Sequence, residues 1–358
     1  MKLSETDGPA ILIGVKPPET RYAEGPRGAL AYQVLGSGPP DVVVVPGMHS
    51  HLDLQWQLLG YRRFVRGLAR NARIIRYDKL GTGLSDPTIR PPTQDDRVED
   101  LRCVVETCAQ NPVVLFGFSE GGPLAISYAV QHEVSALVLY GTAIRRPYGV
   151  HLERLEQVLA GWGSGLSLEV FAPSLAGDSQ LRELTAAIER AAASPAMARH
   201  VIAALATMNA SDLLGLVRVP TLVVHRSDEF IPVEEARIIA AGIKGARLTV
   251  LPGIDHQPWA GGVDAVVSAV SSFIAEVPGA GLQRMPSTAR PARPVFGWES
   301  LTAGERRVAE LAADGLSNPR IAQQLYLARG TVETHLKRVY AKLAIDGRHE
   351  LAVVRGAR

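Results

Sequence analysis

Cysteine is scarce in this chain of 358 residues, with only Cys103 and Cys108 present. They stand five apart in a segment that reads as helical, which puts them on different faces and argues against a mutual disulfide. Two free thiols fit a reducing cytoplasm. Histidine and cysteine nowhere cluster at the spacing of zinc ligands, so neither a metal nor a cofactor is expected. Uninterrupted apolar runs are also missing. None reaches the roughly 18 residues of a membrane span, and no membrane is expected as a partner. Met1 to Val15 has no basic start, apolar core and small-residue cleavage site, so no secretory signal is read there. No phosphoacceptor receiver pattern is present, and control by phosphorelay is not suggested.

Charge is balanced across the whole chain at a formal +2, yet it is unevenly placed. Residues 277–358 hold thirteen Lys/Arg against seven Asp/Glu, leaving −4 on the rest. A basic tail on an acidic body points to a polyanion at the C-terminal end. Between the two lies VPGAGLQRMPSTARPARP, with four prolines, two glycines and no acid. Such a stretch cannot bury a core, so 277–296 reads as a linker between a domain at 1–276 and another at 297–358.

In the first domain, short apolar runs alternate with helix-length segments. The strand candidates are Val42 to Val45, Ile74-Ile75, Val113 to Phe116, Ala136 to Leu139, Thr221 to Val224 and Leu248 to Leu251. Asp95 to Gln110 and Pro232 to Ala241 have helical length. This alternation predicts an α/β fold with a mostly parallel sheet covered on both faces. Residues 145–212 break the rhythm with an Ala/Leu-rich helical insertion.

The run Val113 to Phe116 leads into Gly117-Phe118-Ser119-Glu120-Gly121 and then a helix-length segment through Gln131. This is G-x-S-x-G between strand and helix, a context that holds a serine in a tight turn at the carboxyl edge of the sheet. A nucleophilic serine needs a base, and the base needs an orienting carboxylate. Asp228 follows one strand candidate and His256 follows the next, so all three fall at the same sheet edge. Glu229 is the second candidate acid, and Asp228 can also cap the helix after Pro232. Asp255 is expected to be solvated, His49 and His51 to line a pocket or the surface, and Trp259 to pack beneath the histidine loop.

With Gly28 to Tyr32, Val45-Pro46-Gly47, Asp78 to Ser85, the serine elbow and the two later loops, residues 20–275 resemble the α/β-hydrolase fold family. The resemblance implies Ser119 as nucleophile, His256 as base and Asp228 as its orienter. It also implies an oxyanion hole from the N–H groups of Met48 and Glu120, and a helical lid at 145–212. Pro46-Gly47 stands where the family often has His-Gly, and Lys79-Leu80 where Arg-Gly is common.

The second domain reads as short helices. Thr302 with Glu305 forms a capping box, Gly315 closes that helix and Ser317 caps the next. A turn at 327–330 leads to a longer helix, Thr331 to Leu343, with Val332, Leu336, Val339, Tyr340 and Leu343 inward. The positions Leu301-Thr302, Glu305, Gly315 to Asn318, Ile321-Ala322, Gly330 to Val332, Thr334 to Leu336, Tyr340 and Lys342-Leu343 resemble the LuxR-type helix-turn-helix family. By that resemblance Thr331 to Leu343 is the recognition helix in a major groove. Glu333, Thr334 and Lys337 face bases, with Arg329, Arg338, His335 and Lys342 toward phosphates. Glu333 stands where Lys is common; it repels phosphate but accepts from cytosine N4. The last helix, around Leu351, Val353 and Val354, implies dimer contacts. The expectation is a cytoplasmic, homodimeric transcription regulator that binds double-stranded DNA and answers to a small molecule bound in the first domain, whether or not that domain cleaves it. The alternative is an active serine hydrolase tethered to DNA.

Overall fold

The computed structural model describes residues 11, 15–88, 90–145, 150–205, 209–277, 297–301, 303–325, 327 and 329–356. The linker beyond Val277 and the Thr302 cap lie outside the described residues. Eight strands form one sheet in the order β1-β2-β4-β3-β5-β6-β7-β8. They are β1 (Arg21–Gly25), β2 (Gly28–Leu35), β3 (Asp41–Val45), β4 (Arg73–Tyr77), β5 (Val113–Phe118), β6 (Ala136–Tyr140), β7 (Thr221–Arg226) and β8 (Arg247–Leu251). β3 to β8 run parallel, while β2 pairs antiparallel with both β1 and β4. Strands β3, β5, β6 and β7 are buried at every residue. That is why they read as unbroken apolar runs rather than alternating ones.

Helices flank the sheet. α1 (Leu52–Gln55), α2 (Leu59–Leu68), α3 (Gln94–Cys108) and α4 (Gly121–Gln131) precede the insertion, and α9 (Val233–Gly242) and α10 (Val263–Glu276) follow it. Phe64, Val65 and Leu68 of α2 join Val266, Val270 and Phe273 of α10 in the core on one face of the sheet. Val98, Leu101 and Val104 of α3, Leu124 and Ala125 of α4, and Ala236 and Ile239 of α9 fill the other. The two cysteines are free and buried on α3. The strand expected at Leu248–Leu251 forms, but it is an outer strand, mostly exposed rather than covered.

The insertion is helical as expected: α5 (Val150–Ala160), α6 (Ser167–Phe171), α7 (Ser179–Ala192) and α8 (Pro195–Leu205). Its two ends meet where Arg145 and Asn209 form an isolated β-bridge. Buried Glu189 of α7 anchors the turn before α6, accepting from the N–H groups of Gly163, Gly165 and Ser167 at 2.8, 2.9 and 3.2 Å. A carboxylate that satisfies three amides in the interior fixes a loop that would otherwise carry orphan donors.

The tail comprises α11 (Ala303–Ala313), α12 (Asn318–Leu325), α13 (Arg329–Leu343) and α14 (Leu351–Gly356). Val308, Ala312, Ile321, Val332, Leu336, Val339, Leu343, Leu351 and Val354 make its core. Those of α11, α13 and α14 fall three or four apart, the stripe a small helical domain must bury. The indole N–H of Trp298 donates to the carbonyl of Val354 at 3.1 Å, tying the start of the tail to its end.

Candidate functional site

The site begins with a strained turn. Ser119 stands between β5 and α4 with φ of +53°, a left-handed conformation that a side-chain-bearing residue adopts only when its surroundings enforce it. Its N–H donates to the Tyr140 carbonyl at 3.0 Å, and its carbonyl accepts from the Thr142 hydroxyl at 2.6 Å. The neighbouring glycines are steric requirements. A Cβ at Gly121 would lie 2.2 Å from the Val45 carbonyl oxygen, and one at Gly122 would lie 2.1 Å from Thr142 Oγ1. Helix α4 can therefore start hard against β3 and β6, and the serine side chain is thrust off the sheet edge.

There it meets His256, whose Nε2 lies 2.9 Å from Ser119 Oγ. The imidazole is buried, with the rings of Phe118, Phe171 and Phe230 around it at centroid distances of 5.1, 5.6 and 5.8 Å. This aromatic sleeve excludes water and strengthens each polar contact inside it. The lid also holds the loop: the N–H groups of His256 and Gln257 both donate to the Phe171 carbonyl of α6, at 2.9 and 3.1 Å.

The carboxylate on the imidazole is Glu229, not the expected Asp228. His256 Nδ1 stands 2.6 Å from Glu229 Oε2. Asp228 spends its N–H on the Gly253 carbonyl, and its carboxylate accepts from the neighbouring Ser227 hydroxyl at 2.6 Å. The turn after β7 thus faces Asp228 away and brings Glu229, with its longer side chain, inward. Nor does Asp228 cap α9; its N-cap is Pro232, without a side-chain bond.

A residue missed from sequence completes the cluster. His225, fully buried at the end of β7, places Nε2 3.0 Å from Glu229 Oε1 and 2.8 Å from the Ile231 carbonyl. Burial pushes the Glu229 carboxyl up, but the imidazoles of His256 and His225 outweigh it and hold the group below its ordinary range. Burial likewise opposes charge on His225, and Glu229 outweighs it and raises that imidazole. The spacing of His225 and Glu229, i and i+4 beyond an apolar strand, is the signal that sequence offered.

Other expectations sort by geometry. Met48 lines a small pocket of about 40 Å³ with His49, Phe118, Ser119, Phe171 and His256. Glu120 is the N-cap of α4, and its carboxylate accepts from buried Lys79 at 3.0 Å. Asp255, expected to be solvated, is buried and accepts from the N–H and hydroxyl of Ser174 at 3.0 and 2.8 Å, a tie between the histidine loop and the lid. His51 caps α1, while His49 lies in the pocket wall, where burial brings its imidazole down to about 4. Trp259 stacks its edge against Phe118 at 5.3 Å.

On the tail, α13 buries Val332, Leu336, Val339 and Leu343 and exposes Arg329, Thr331, Glu333, Thr334, Lys337 and Arg338. Arg329 pairs with Glu333 at 3.0 Å along the helix surface. One expected phosphate contact is placed otherwise. Lys342 donates to Glu305 at 2.6 Å and to the Ser300 carbonyl at 3.2 Å, inside the domain. His335 is half-buried.

Residues 40–260 match the family profile described as serine aminopeptidase, S33, and residues 299–355 that of the luxR family of bacterial regulatory proteins. The chain belongs to the serine aminopeptidase, S33, family and carries a tail that matches the luxR regulatory family. The α/β-hydrolase part resembles the AB hydrolase superfamily protein YisY of Bacillus subtilis, 25% identical over 259 residues, with 67% of this chain and 92% of that protein covered. It also resembles the crystal structure of bromoperoxidase from Bacillus anthracis, with a TM-score of 0.63, 19% identity, and coverage of 72% of this chain and 100% of that one. At that identity the likeness is one of fold. The LuxR-type part is 51% identical over 59 residues to the HTH-type transcriptional regulator Rv0890c of Mycobacterium tuberculosis. That match takes in 16% of this chain, which spans only 7% of the mycobacterial protein's length. Among the described residues, no helix is long and apolar enough to cross a membrane.

Proposed function

We propose that this α/β hydrolase is a transcription regulator whose LuxR-type helices bind double-stranded DNA under the control of a small molecule held at Ser119. The observation that carries the reading is a hydrogen-bonded serine, imidazole and carboxylate beneath a lid, in the same chain as a DNA-binding domain. Ser119 is the nucleophile, His256 the general base and Glu229 its orienter. The N–H groups of Met48 and Glu120 receive the negative charge that develops on an attacked carbonyl. On the DNA side, Thr331, Glu333, Thr334 and Lys337 face base edges, with Arg329 and Arg338 toward phosphates. The regulator acts as a homodimer in the cytoplasm, each protomer reading one half-site.

For control to operate, the small molecule must bind the DNA-competent and incompetent states with different affinity. The test is the affinity of the full chain for a duplex selected by it from a random pool, measured with and without each member of an ester and lactone library. Identical affinity with every compound removes the sensing claim. A second reading is an active hydrolase that DNA merely localises, favoured by the 2.9 Å contact between His256 and Ser119. A fluorophosphonate that labels the wild type but not Ser119→Ala supports turnover. A regulator whose Ser119→Ala form still responds to the compound separates sensing from hydrolysis.

A further inference from the structure

The pocket at Ser119 is too small for any but the smallest acyl group: its 40 Å³ is far below the roughly 300–1,000 Å³ of ordinary ligand sites. A second cavity of about 340 Å³ adjoins it, and His49, Gln55, Gln257 and Trp259 line both. The larger chamber lies between α2 and the lid, and about half of its wall is apolar, supplied by Leu58, Leu59, Leu168, Leu175, Leu181 and Ile188, with Arg63, Thr185 and Asp264 among the polar remainder. At the shared wall, His49 Nδ1 and Trp259 Nε1 are buried without a hydrogen-bond partner among the described residues, polar atoms suited to the ester end of a ligand whose chain runs on into the chamber.

Helix α2 forms one wall of that chamber through Leu59, Gly60 and Arg63. The same helix holds the DNA-binding tail. Arg62, fully buried, donates to Glu350 Oε2 at 3.3 and 3.4 Å and lies 3.6 Å from Asp346. Arg66 pairs with Asp346. Glu350 Oε1 in turn accepts from the N–H groups of Asp346 and Gly347 at 2.6 and 3.2 Å, so the arginines grip the loop that starts α14. Gly60 and Arg62 face about 160° apart around the helix. On the Gly60 side there is no slack, since a Cβ there would lie 2.2 Å from the Trp259 carbonyl oxygen. A chain that presses on α2 from the chamber therefore pushes it toward the tail.

We propose that the chamber takes the apolar acyl chain of an ester or thioester whose carbonyl lies at Ser119, and that α2 transmits its occupancy to the DNA-binding tail through Arg62 and Arg66. This rests on Ser119 as the reacting group. The test uses two ethoxy fluorophosphonates on the full chain, one with a decyl and one with an ethyl substituent. In each, Ser119 Oγ bonds to phosphorus, the P–F bond breaks, fluoride leaves and His256 takes the hydroxyl proton.

The decyl reagent is expected to label at least about tenfold faster, because its chain is buried. Leu175→Trp or Thr185→Phe, which fill the chamber, bring the ratio toward one. Decyl labelling speeds hydrogen exchange at 346–351, ethyl labelling does not, and Arg66→Ala or Asp346→Asn abolishes the difference. Equal labelling rates in the wild type overturn the chamber assignment, and unchanged exchange at 346–351 overturns the coupling. If neither reagent labels Ser119, the nucleophile reading fails on its own. The chamber is then judged on Ser119→Ala with ethyl decanoate and ethyl acetate: slowed exchange at 58–63 and 175–188 with the decanoate alone upholds it, and no slowing overturns it.

Discussion

Glu229 Oε2 and His256 Nδ1 lie 2.6 Å apart, and the other oxygen of the same carboxylate lies 3.0 Å from His225. One buried acid thus serves two imidazoles, and the aspartate beside it serves neither.

Glu229→Gln is expected to lower the rate of fluorophosphonate labelling and of ester hydrolysis roughly a thousand- to ten-thousandfold, as loss of an orienting carboxylate leaves the imidazole in the wrong tautomer. Asp228→Asn leaves both within about twofold, the range of a surface change. Stopped-flow labelling of the two variants decides between the acids; the reverse ranking would return the role to Asp228.

Gly121→Ala is expected to destabilise the fold by about 1–3 kcal/mol, because the added methyl meets backbone at Val45 that no rotamer can clear. Urea denaturation measures it. A midpoint equal to that of the wild type would mean that α4 has room to retreat from β3.

His49 carries a pH signature. Burial takes its imidazole from an ordinary 6.5 to about 4 in the folded chain. The folded state therefore favours the neutral ring, and this contribution is present above pH 6.5 and lost as pH falls from there toward 4. His49→Asn removes it. The difference in Tm between wild type and variant should shrink by an amount on the order of 5 °C between pH 7 and pH 4. A constant difference across that window contradicts the shift.

Arg338→Ala should weaken duplex binding and flatten its dependence on the logarithm of salt concentration by about 0.9, the signature of one lost phosphate contact. Lys337→Ala, at a base-facing position, instead relaxes the preference for particular sequences; the reverse pattern would exchange the two roles. Lys342→Ala acts differently, since that ammonium is engaged with Glu305: it lowers the Tm of the tail and leaves the salt slope unchanged.

Much of this was legible because burial on both faces writes itself into sequence. β3, β5, β6 and β7 have no exposed residue, so their valines and leucines stand in runs. The strands β1 and β2 escaped notice, for RYAEG is mostly exposed and GALAYQVL is only half covered. The choice between Asp228 and Glu229 was beyond composition. It depends on a loop-to-loop bond, Asp228 N–H to the Gly253 carbonyl, which rotates one acid outward and its neighbour inward. Lys342 was misread for a related reason: helical periodicity places it toward the outer face, while Glu305 from another helix reaches across to claim it. Phe171 lies in the insertion, far along the chain from the loop it holds, and no local pattern joins the two.

That last contact limits how the site can work. The carbonyl at Phe171 is the acceptor for two consecutive amides of the loop bearing the base. Were α6 to swing outward and admit a bulky guest, it would release His256 as it went. An open lid and an armed serine therefore exclude each other, and a visitor must be enclosed before it can be attacked.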